Sequence, residues 1–284
     1  MPLPKNSVDR IGLWSAAVLL SLMVANAVVP PLSHAQPAHA YPLEYQSIVE
    51  GERLEYEAGW NGIPAARATV STIRDPERPG LYRVSAEARS LGYVSWIWKM
   101  QDSFEARIEA KSYWPVSFVV RLNEKGRVDI RQCTFCYPEN LIRVVRLKKK
   151  KVEEYSIPIG VTYDALTAAF LLRAIELKIG DAPQAEVCEG KDIYLIRMDV
   201  VGMDNVKLGL GTVPAYRMNV SLKKLYPHED ATRKRKREKF YWATLWLSAD
   251  SARVPLKLES RVFVGHVYVE LVSDNRGLAK KYSR

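Results

Sequence analysis

Two cysteines three residues apart, Cys133 and Cys136, are the first candidates for chemistry in this chain. A C-x-x-C pair is typical of half a zinc site or of a thioredoxin-like redox centre. A zinc site needs about four ligands, and only Cys188 and the distant His228 and His266 remain to complete one downstream of the N-terminal segment. A redox pair needs the N-terminus of a helix, where a thiolate is stabilised.

The residues around the pair predict a strand instead of a helix. Val128 and Ile130 alternate with charged residues before the pair, and Pro138 follows it. Residues three apart on a strand point to opposite faces, so a regular strand does not bring the two sulfurs together. Either the chain bends and Cys133 bonds Cys136, or one of them reaches Cys188. We favour the local bridge, a structural clip at a β-turn with one thiol left over.

The N-terminus bears on this choice, because disulfides form in oxidising compartments. Lys5 and Arg10 precede an uncharged, largely apolar run over residues 11–29, and a small-x-small sequence ends at Ala40. This order predicts a secretory signal peptide over residues 1–40, with cleavage near Ala40. The alternative is an uncleaved N-terminal membrane anchor. We predict an exported, periplasmic protein whose residues 41–284 form a single β-rich domain.

The basic residues are concentrated in two blocks, at 146–151 and 223–239. The whole chain has a formal net charge of +10, and removal of residues 1–40 leaves +9. Each block lies between strand-like segments and is interpreted as a solvated hairpin tip or a binding patch. Export and the lack of interleaved aromatic residues argue against nucleic acid, so an anionic membrane surface or an envelope protein is the expected partner. The predicted basic surface comprises Lys148, Lys149, Lys150, Lys234, Arg235, Lys236 and Arg237.

Most of the remaining chain alternates apolar and polar residues with a period of two, as in Leu54, Tyr56, Ala58 and Trp60. Strands of this kind have one face on a core and one face on solvent. The predicted fold is therefore all-β, with curved antiparallel sheets that form a barrel-like or sandwich structure.

Two segments break this alternation. One buried helix is predicted near 162–175, capped by Thr162 or Asp164 and with Leu166, Phe170 and Arg173 at helical spacing. A helix this apolar must pack against the open face of the curved sheet, and Arg173 is expected to pair with a sheet carboxylate. The second segment, an apolar cluster over residues 91–100, predicts a short helix near 91–98.

Several stretches of the chain resemble an exported bacterial family known as domain of unknown function 3108. They include the G-E-x-L-x-Y sequence from Gly51 to Tyr56, the D-A-L-T-A sequence from Asp164 to Ala168, and the W-L-S-x-D-x-x-R-x-P sequence from Trp246 to Pro255. The resemblance covers residues 49–273. It implies an all-β exported protein and carries no established activity or catalytic residues.

No triad, zinc-protease or phosphate-loop motif supports an enzyme. We therefore predict a non-enzymatic protein with no catalytic residues, no metal and no cofactor, and rank a hydrolase third. The first hypothesis is a periplasmic protein that holds an apolar or lipid-like ligand inside the curved sheet, with residues 91–100 as a lid. The alternative is an envelope scaffold that uses sheet edges and basic loops. The predicted ligand-binding residues are Tyr93, Trp96, Trp98, Phe170 and Trp242.

Overall fold

A computed structural model describes residues 42–225, 240–262, 265–278 and 281. The predicted signal peptide and Lys234–Arg237 of the second basic block lie outside these ranges. The described residues form fifteen strands, two α-helices and one short 3₁₀ helix at Tyr137–Glu139. The strands are β1 Arg53–Trp60, β2 Ile63–Arg74, β3 Leu81–Ser90, β4 Gln101–Glu109, β5 Pro115–Glu124, β6 Arg127–Cys136, β7 Leu141–Lys148, β8 Lys151–Pro158, β9 Thr162–Asp164, β10 Gln184–Cys188, β11 Ile193–Leu208, β12 Gly211–Leu225, β13 Phe240–Ser248, β14 Pro255–Arg261 and β15 His266–Asp274. The helices are α1 Gly92–Ser95 and α2 Ala165–Ala174.

All fifteen strands belong to one sheet, in the order β8-β7-β6-β5-β4-β3-β2-β1-β15-β14-β13-β12-β11-β10-β9. Neighbouring strands are antiparallel except for β9 and β10, which are parallel. The sheet curves back on itself. This is shown by the Tyr137 hydroxyl after β6, which donates to the Thr162 carbonyl of β9 at 2.8 Å. This confirms the all-β, barrel-like prediction, with a single sheet enclosing the core.

The period-two alternation of the sequence determines which face of each strand is buried. In β4, Phe104, Ala106 and Ile108 are buried, while Glu105 and Arg107 lie on the other face. The same alternation recurs along β1, β2 and β3, and the inward-facing side chains form one hydrophobic core. In the described part of the chain, no helix combines the length and apolar character needed to cross a bilayer.

Helix α2 fills part of the space inside the sheet. Asp164 caps it, accepting hydrogen bonds from the Leu166 and Thr167 amides at 2.9 and 3.0 Å, so the second of the two predicted caps is correct. Every residue of α2 except Ala169 is buried, and the helix packs against β4, β9 and β10. The helix starts at Ala165, because Thr162–Asp164 instead pairs with β10 as strand β9.

Arg173 near the end of α2 forms a bidentate ion pair with Glu52, with both Nη–Oε distances at 2.7 Å. The Arg173 guanidinium also donates to the Ala252 carbonyl at 3.1 and 3.2 Å, and Arg276 Nη1 donates to the same Glu52 carboxylate at 2.9 Å. Burial alone would raise the pKa of Glu52, but the two guanidinium groups outweigh it and hold that pKa below its usual value. The expected pairing of Arg173 with a carboxylate is confirmed, although Glu52 lies just before β1.

Loss of Arg173 should destabilise the fold strongly, because the buried Glu52 carboxylate would then have only Arg276 to balance its charge. We expect Arg173→Met to lower the free energy of unfolding by about 3–5 kcal/mol, measured by urea denaturation. The matched control is Arg143→Met, which removes an exposed pair with Glu139 and should cost at most about 1 kcal/mol. Equal losses for the two variants would contradict the role given to the buried pair.

Candidate functional site

The antiparallel connectivity places alternate turns at the same end of the sheet. We call one of these the α1 end, because it carries the connection from β3 to β4 that includes α1. The same end holds the turns β1–β2, β5–β6, β7–β8, β10–β11 and β14–β15, together with the last residues of β12 and the first of β13. Most of the large exposed apolar side chains lie there, together with a turn of four lysines.

The segment around α1 exposes large apolar side chains from a well-bonded backbone. Trp96 is 93 % exposed, Ile97 81 % and Tyr93 57 %. The Leu91 amide donates to the Ala65 carbonyl at 2.8 Å, and the Tyr93 hydroxyl donates to the Pro64 carbonyl. These bonds fix the segment to the start of β2, so its apolar residues are presented to solvent from a defined position.

Trp60, at the end of β1, and Trp242, near the start of β13, add exposed aromatic surface at this end. Together with Tyr93 and Trp96 they are all the large aromatic side chains that the described residues expose. Surface apolar residues are ordinary when scattered singly, whereas a concentration at one end of a sheet makes that end a candidate interaction surface.

A turn of four exposed lysines, Lys148–Lys151, lies at the same end between β7 and β8. Its central residues Lys149 and Lys150 have φ values of 50° and 66°. Two successive positive φ values define a type of hairpin turn in which Asn-Gly is the preferred sequence. Lysine is not a preferred residue at either position of such a turn. Neither Lys149 nor Lys150 forms an ion pair with any described residue, whereas Lys148 lies 3.6 Å from Asp129 and Lys151 lies 3.3 Å from Glu153.

An apolar strip runs along the outer face of β6–β8 next to this turn. Leu147 pairs with Ile130 on one side and with Val152 on the other, so the three side chains lie in one row. Leu147 and Val152 are exposed, as is Val128 at the start of β6. Lys125 links the strip to the α1 segment, since its Nζ lies 4.5 Å from the Trp98 ring centre and its amide donates to the Lys99 carbonyl at 2.8 Å.

Asp102 is a buried carboxyl group at the α1 end that no sequence motif distinguishes from the other acidic residues. Its Oδ1 accepts the Asn123 amide at 3.0 Å, and its Oδ2 has no hydrogen-bond partner among the described residues. Burial raises the pKa of Asp102 to about 6, despite the Asn123 amide, and the nearby Glu124 adds to the increase.

This raised pKa makes the fold less stable as pH rises. The folded state holds the Asp102 proton more tightly than the unfolded chain, so stability falls between about pH 4 and pH 6 and stays lower at pH 7. Asp102→Asn keeps an oxygen that can accept the Asn123 amide and removes the negative charge of the carboxylate. We expect it to raise the free energy of unfolding at pH 7 by about 2–3 kcal/mol, and by much less at pH 4. Urea denaturation at both pH values measures the difference, with Glu87→Gln on the exposed face of β3 as control. A gain of equal size at both pH values would exclude this explanation.

The predicted ligand-binding residues do not line one interior space. Tyr93, Trp96 and Trp98 share the α1 segment, with the first two exposed, and Trp242 is exposed on β13. Phe170 is buried in α2, with the Arg173 guanidinium 4.8 Å from its ring centre. The structure does not bring these five residues together, because α2 holds Phe170 in the core while the others belong to the α1 end. Their binding of a ligand stays a prediction.

The predicted bridge between Cys133 and Cys136 is not formed, and all three cysteines are free thiols. β6 stays in register with β7 as far as Cys136, so no β-turn separates the pair and the two side chains point to opposite faces. Cys133 is fully buried and Cys136 is partly exposed. The described residues contain no group of three His, Cys, Asp or Glu side chains that could hold a metal ion.

A single curved sheet around a buried helix defines a β-barrel-like protein. The model of the family "Protein of unknown function (DUF3108)" matches residues 55–272, and the chain belongs to this family. A search of the curated proteins finds no match to the chain.

Comparison with solved structures finds three bacterial proteins that are similar to this chain to different degrees. A β-barrel-like protein of domain of unknown function DUF1849 from Brucella abortus has 10% sequence identity and a TM-score of 0.51, covering 79% of this chain and 97% of its own. A protein described as a lipoprotein from Parabacteroides distasonis has 9% identity and a TM-score of 0.36, covering 82% of this chain and 99% of its own. One described as exported, with a YmcC-like fold, from Bacteroides fragilis has 11% identity and a TM-score of 0.34, covering 82% and 100%. At these identities the Brucella structure supports the fold alone.

Proposed function

We propose that this protein acts in the bacterial cell envelope and docks through its α1 end onto an anionic lipid surface. The observation that carries the proposal is the concentration of exposed aromatic residues and unpaired lysines at one end of the sheet. Tryptophan and tyrosine favour the boundary between lipid and water, where an apolar ring meets a hydrated headgroup layer. The predicted signal peptide supports the envelope location.

Charge and apolar surface complement each other in this arrangement. Each lysine close to an anionic membrane surface contributes about 1 kcal/mol to binding, and one weak attachment alone gives only marginal association. Trp96 and Ile97 offer an apolar contact, and the turn at Lys149 and Lys150 offers an electrostatic one. Asn-Gly would suit the positive φ values of this turn better than two lysines. The presence of lysine at both positions therefore favours a role in binding over a role in folding.

The interior ligand expected from the sequence stays a prediction. Against it, α2 belongs to the same hydrophobic core as the inner face of the sheet, and Phe170 is already packed in that core. Native mass spectrometry of the purified protein tests it, since a co-purifying lipid would support internal cargo.

The double variant Lys149→Asn/Lys150→Gly separates lipid binding from folding. It removes two charges while giving the turn its preferred residues, so the protein should be at least as stable as the parent. Loss of about 2 kcal/mol of electrostatic attraction should weaken binding to phosphatidylglycerol-containing vesicles about 30-fold at low ionic strength. Vesicle co-sedimentation measures the change, with pure phosphatidylcholine vesicles as the uncharged reference.

The matched control for this variant is Lys111→Gln/Lys207→Gln, which removes two exposed lysines from the opposite end of the sheet. It should leave vesicle binding near the parent value. Equal losses for the two double variants would indicate a nonspecific effect of net charge and would refute docking through the α1 end. No binding by the parent protein would refute the lipid proposal as a whole.

The variant Trp96→Ser/Ile97→Ser tests the apolar contact. Both side chains are almost fully exposed, so the free energy of unfolding should change by no more than about 0.5 kcal/mol. Binding to the same vesicles should fall at least about tenfold, which corresponds to about 1.4 kcal/mol. Ile73→Ser, at the opposite end of β2, removes exposed apolar surface and should bind as the parent does. Retained binding by the Trp96/Ile97 variant would exclude insertion of this segment.

A further inference from the structure

The middle of β6 meets the end of β10 where the curved sheet closes on itself. Arg131 on β6 contacts Glu189, just after β10, with 2.6 Å between Nη1 and Oε2. A Cβ added to Gly190 would lie 3.3 Å from Arg131 Cδ, so the backbone after β10 packs directly on this part of β6. Ten strands separate β6 from β10 in the order of the sheet, so the two are not paired as neighbouring strands.

Two cysteines occupy this junction. Cys133 lies two residues beyond Arg131 on the same inward face of β6, and Cys188 is the last residue of β10. Both are fully buried, and the Cys133 thiol lies close enough to Cys188 to affect the pKa of that thiol. The Cys188 sulfur also accepts the Gly190 amide at 3.4 Å. Cys136 points to the other face, so Cys133 has Cys188 and not Cys136 as its neighbour.

We propose that Cys133 and Cys188 form a disulfide that joins β6 to β10 and closes the curved sheet covalently. Each thiol gives up a proton, and the pair gives up two electrons to a disulfide-bearing thiol oxidant, which leaves as a dithiol. One cysteine thiolate attacks the oxidant to form a mixed disulfide, and the second thiolate then displaces the oxidant's sulfur. The predicted export of the chain would bring it to a compartment where such oxidants act.

The bond forms while the chain folds, before the junction is buried. The neighbouring Cys133 thiol and burial raise the pKa of Cys188 well above its usual value, so the thiolate that must attack is scarce in the folded protein. Once formed, the disulfide closes a loop between residues 55 apart in the sequence, which restricts the unfolded chain.

Peptide mapping of the full-length protein tests the pairing. The chain is refolded from urea in a buffer of oxidised and reduced glutathione, denatured, alkylated with iodoacetamide and digested with trypsin. The peptide 132–143 holds both Cys133 and Cys136, and the peptide 179–191 holds Cys188. We expect these two peptides to be linked. A second cleavage after Phe135 should leave the link on Cys133 and the alkyl group on Cys136.

Three alkylated cysteines, a bridge within 132–143, or a link from Cys136 to Cys188 would each overturn the proposal. Stability gives an independent measurement, since reduction should lower the thermal midpoint by roughly 5–15 °C. The matched control Cys136→Ser should show the same decrease, and Cys188→Ser should show none. The mapping needs no variant, so it stands even if Cys188→Ser folds poorly.

Discussion

The buried Arg173–Glu52 pair is the interaction on which the arrangement of this protein depends most. Glu52 lies just before β1, Arg173 is in α2, the Ala252 carbonyl belongs to the β13–β14 turn, and Arg276 follows β15. Four distant parts of the chain therefore meet around the Arg173–Glu52 ion pair. Because a buried charge without its partner is strongly destabilising, this cluster fixes the helix in one position inside the sheet.

The two ends of the sheet differ in the side chains that they carry. All four members of this cluster lie at the end opposite the α1 end, so the C-terminal end of α2 is held there. The α1 end, by contrast, exposes the side chains of Trp96, Ile97, Lys149 and Lys150 to solvent. This separation makes variants at Trp96 or Lys149 informative about binding, because they leave the core intact.

Much of the fold could be predicted from the sequence, since the alternation along strands such as β4 depends only on neighbouring residues. The same holds for α2, because its cap at Asp164 and its apolar spacing are local signals. That a buried Arg173 would pair with a carboxylate could also be predicted. Thr162–Asp164 was expected to begin the helix, and its pairing with β10 could not be seen because that contact is not local.

The candidate site was harder to predict, for a related reason. The sequence drew attention to Trp96, Trp242 and the lysine block, but assigned Phe170 to the same group because an apolar helix and an apolar loop look alike in composition. Counting turns would have placed Trp60, Trp96 and Trp242 at one end, since alternate turns of an antiparallel sheet coincide. The isolation of Asp102 and the meeting of Cys133 with Cys188 depend on how the sheet curves, which no local pattern encodes.

The pairing of β1 with β15 has a consequence for the timing of folding. Leu54 lies opposite Asp274, so one of the central contacts of the sheet joins the two extremes of the domain. A chain that is synthesised or threaded through a membrane from its N-terminus delivers β15 last. Until then β1 lacks a neighbour on one side, and contacts between such distant residues form slowly. The sheet of this domain therefore stays incomplete until its last strand has been added.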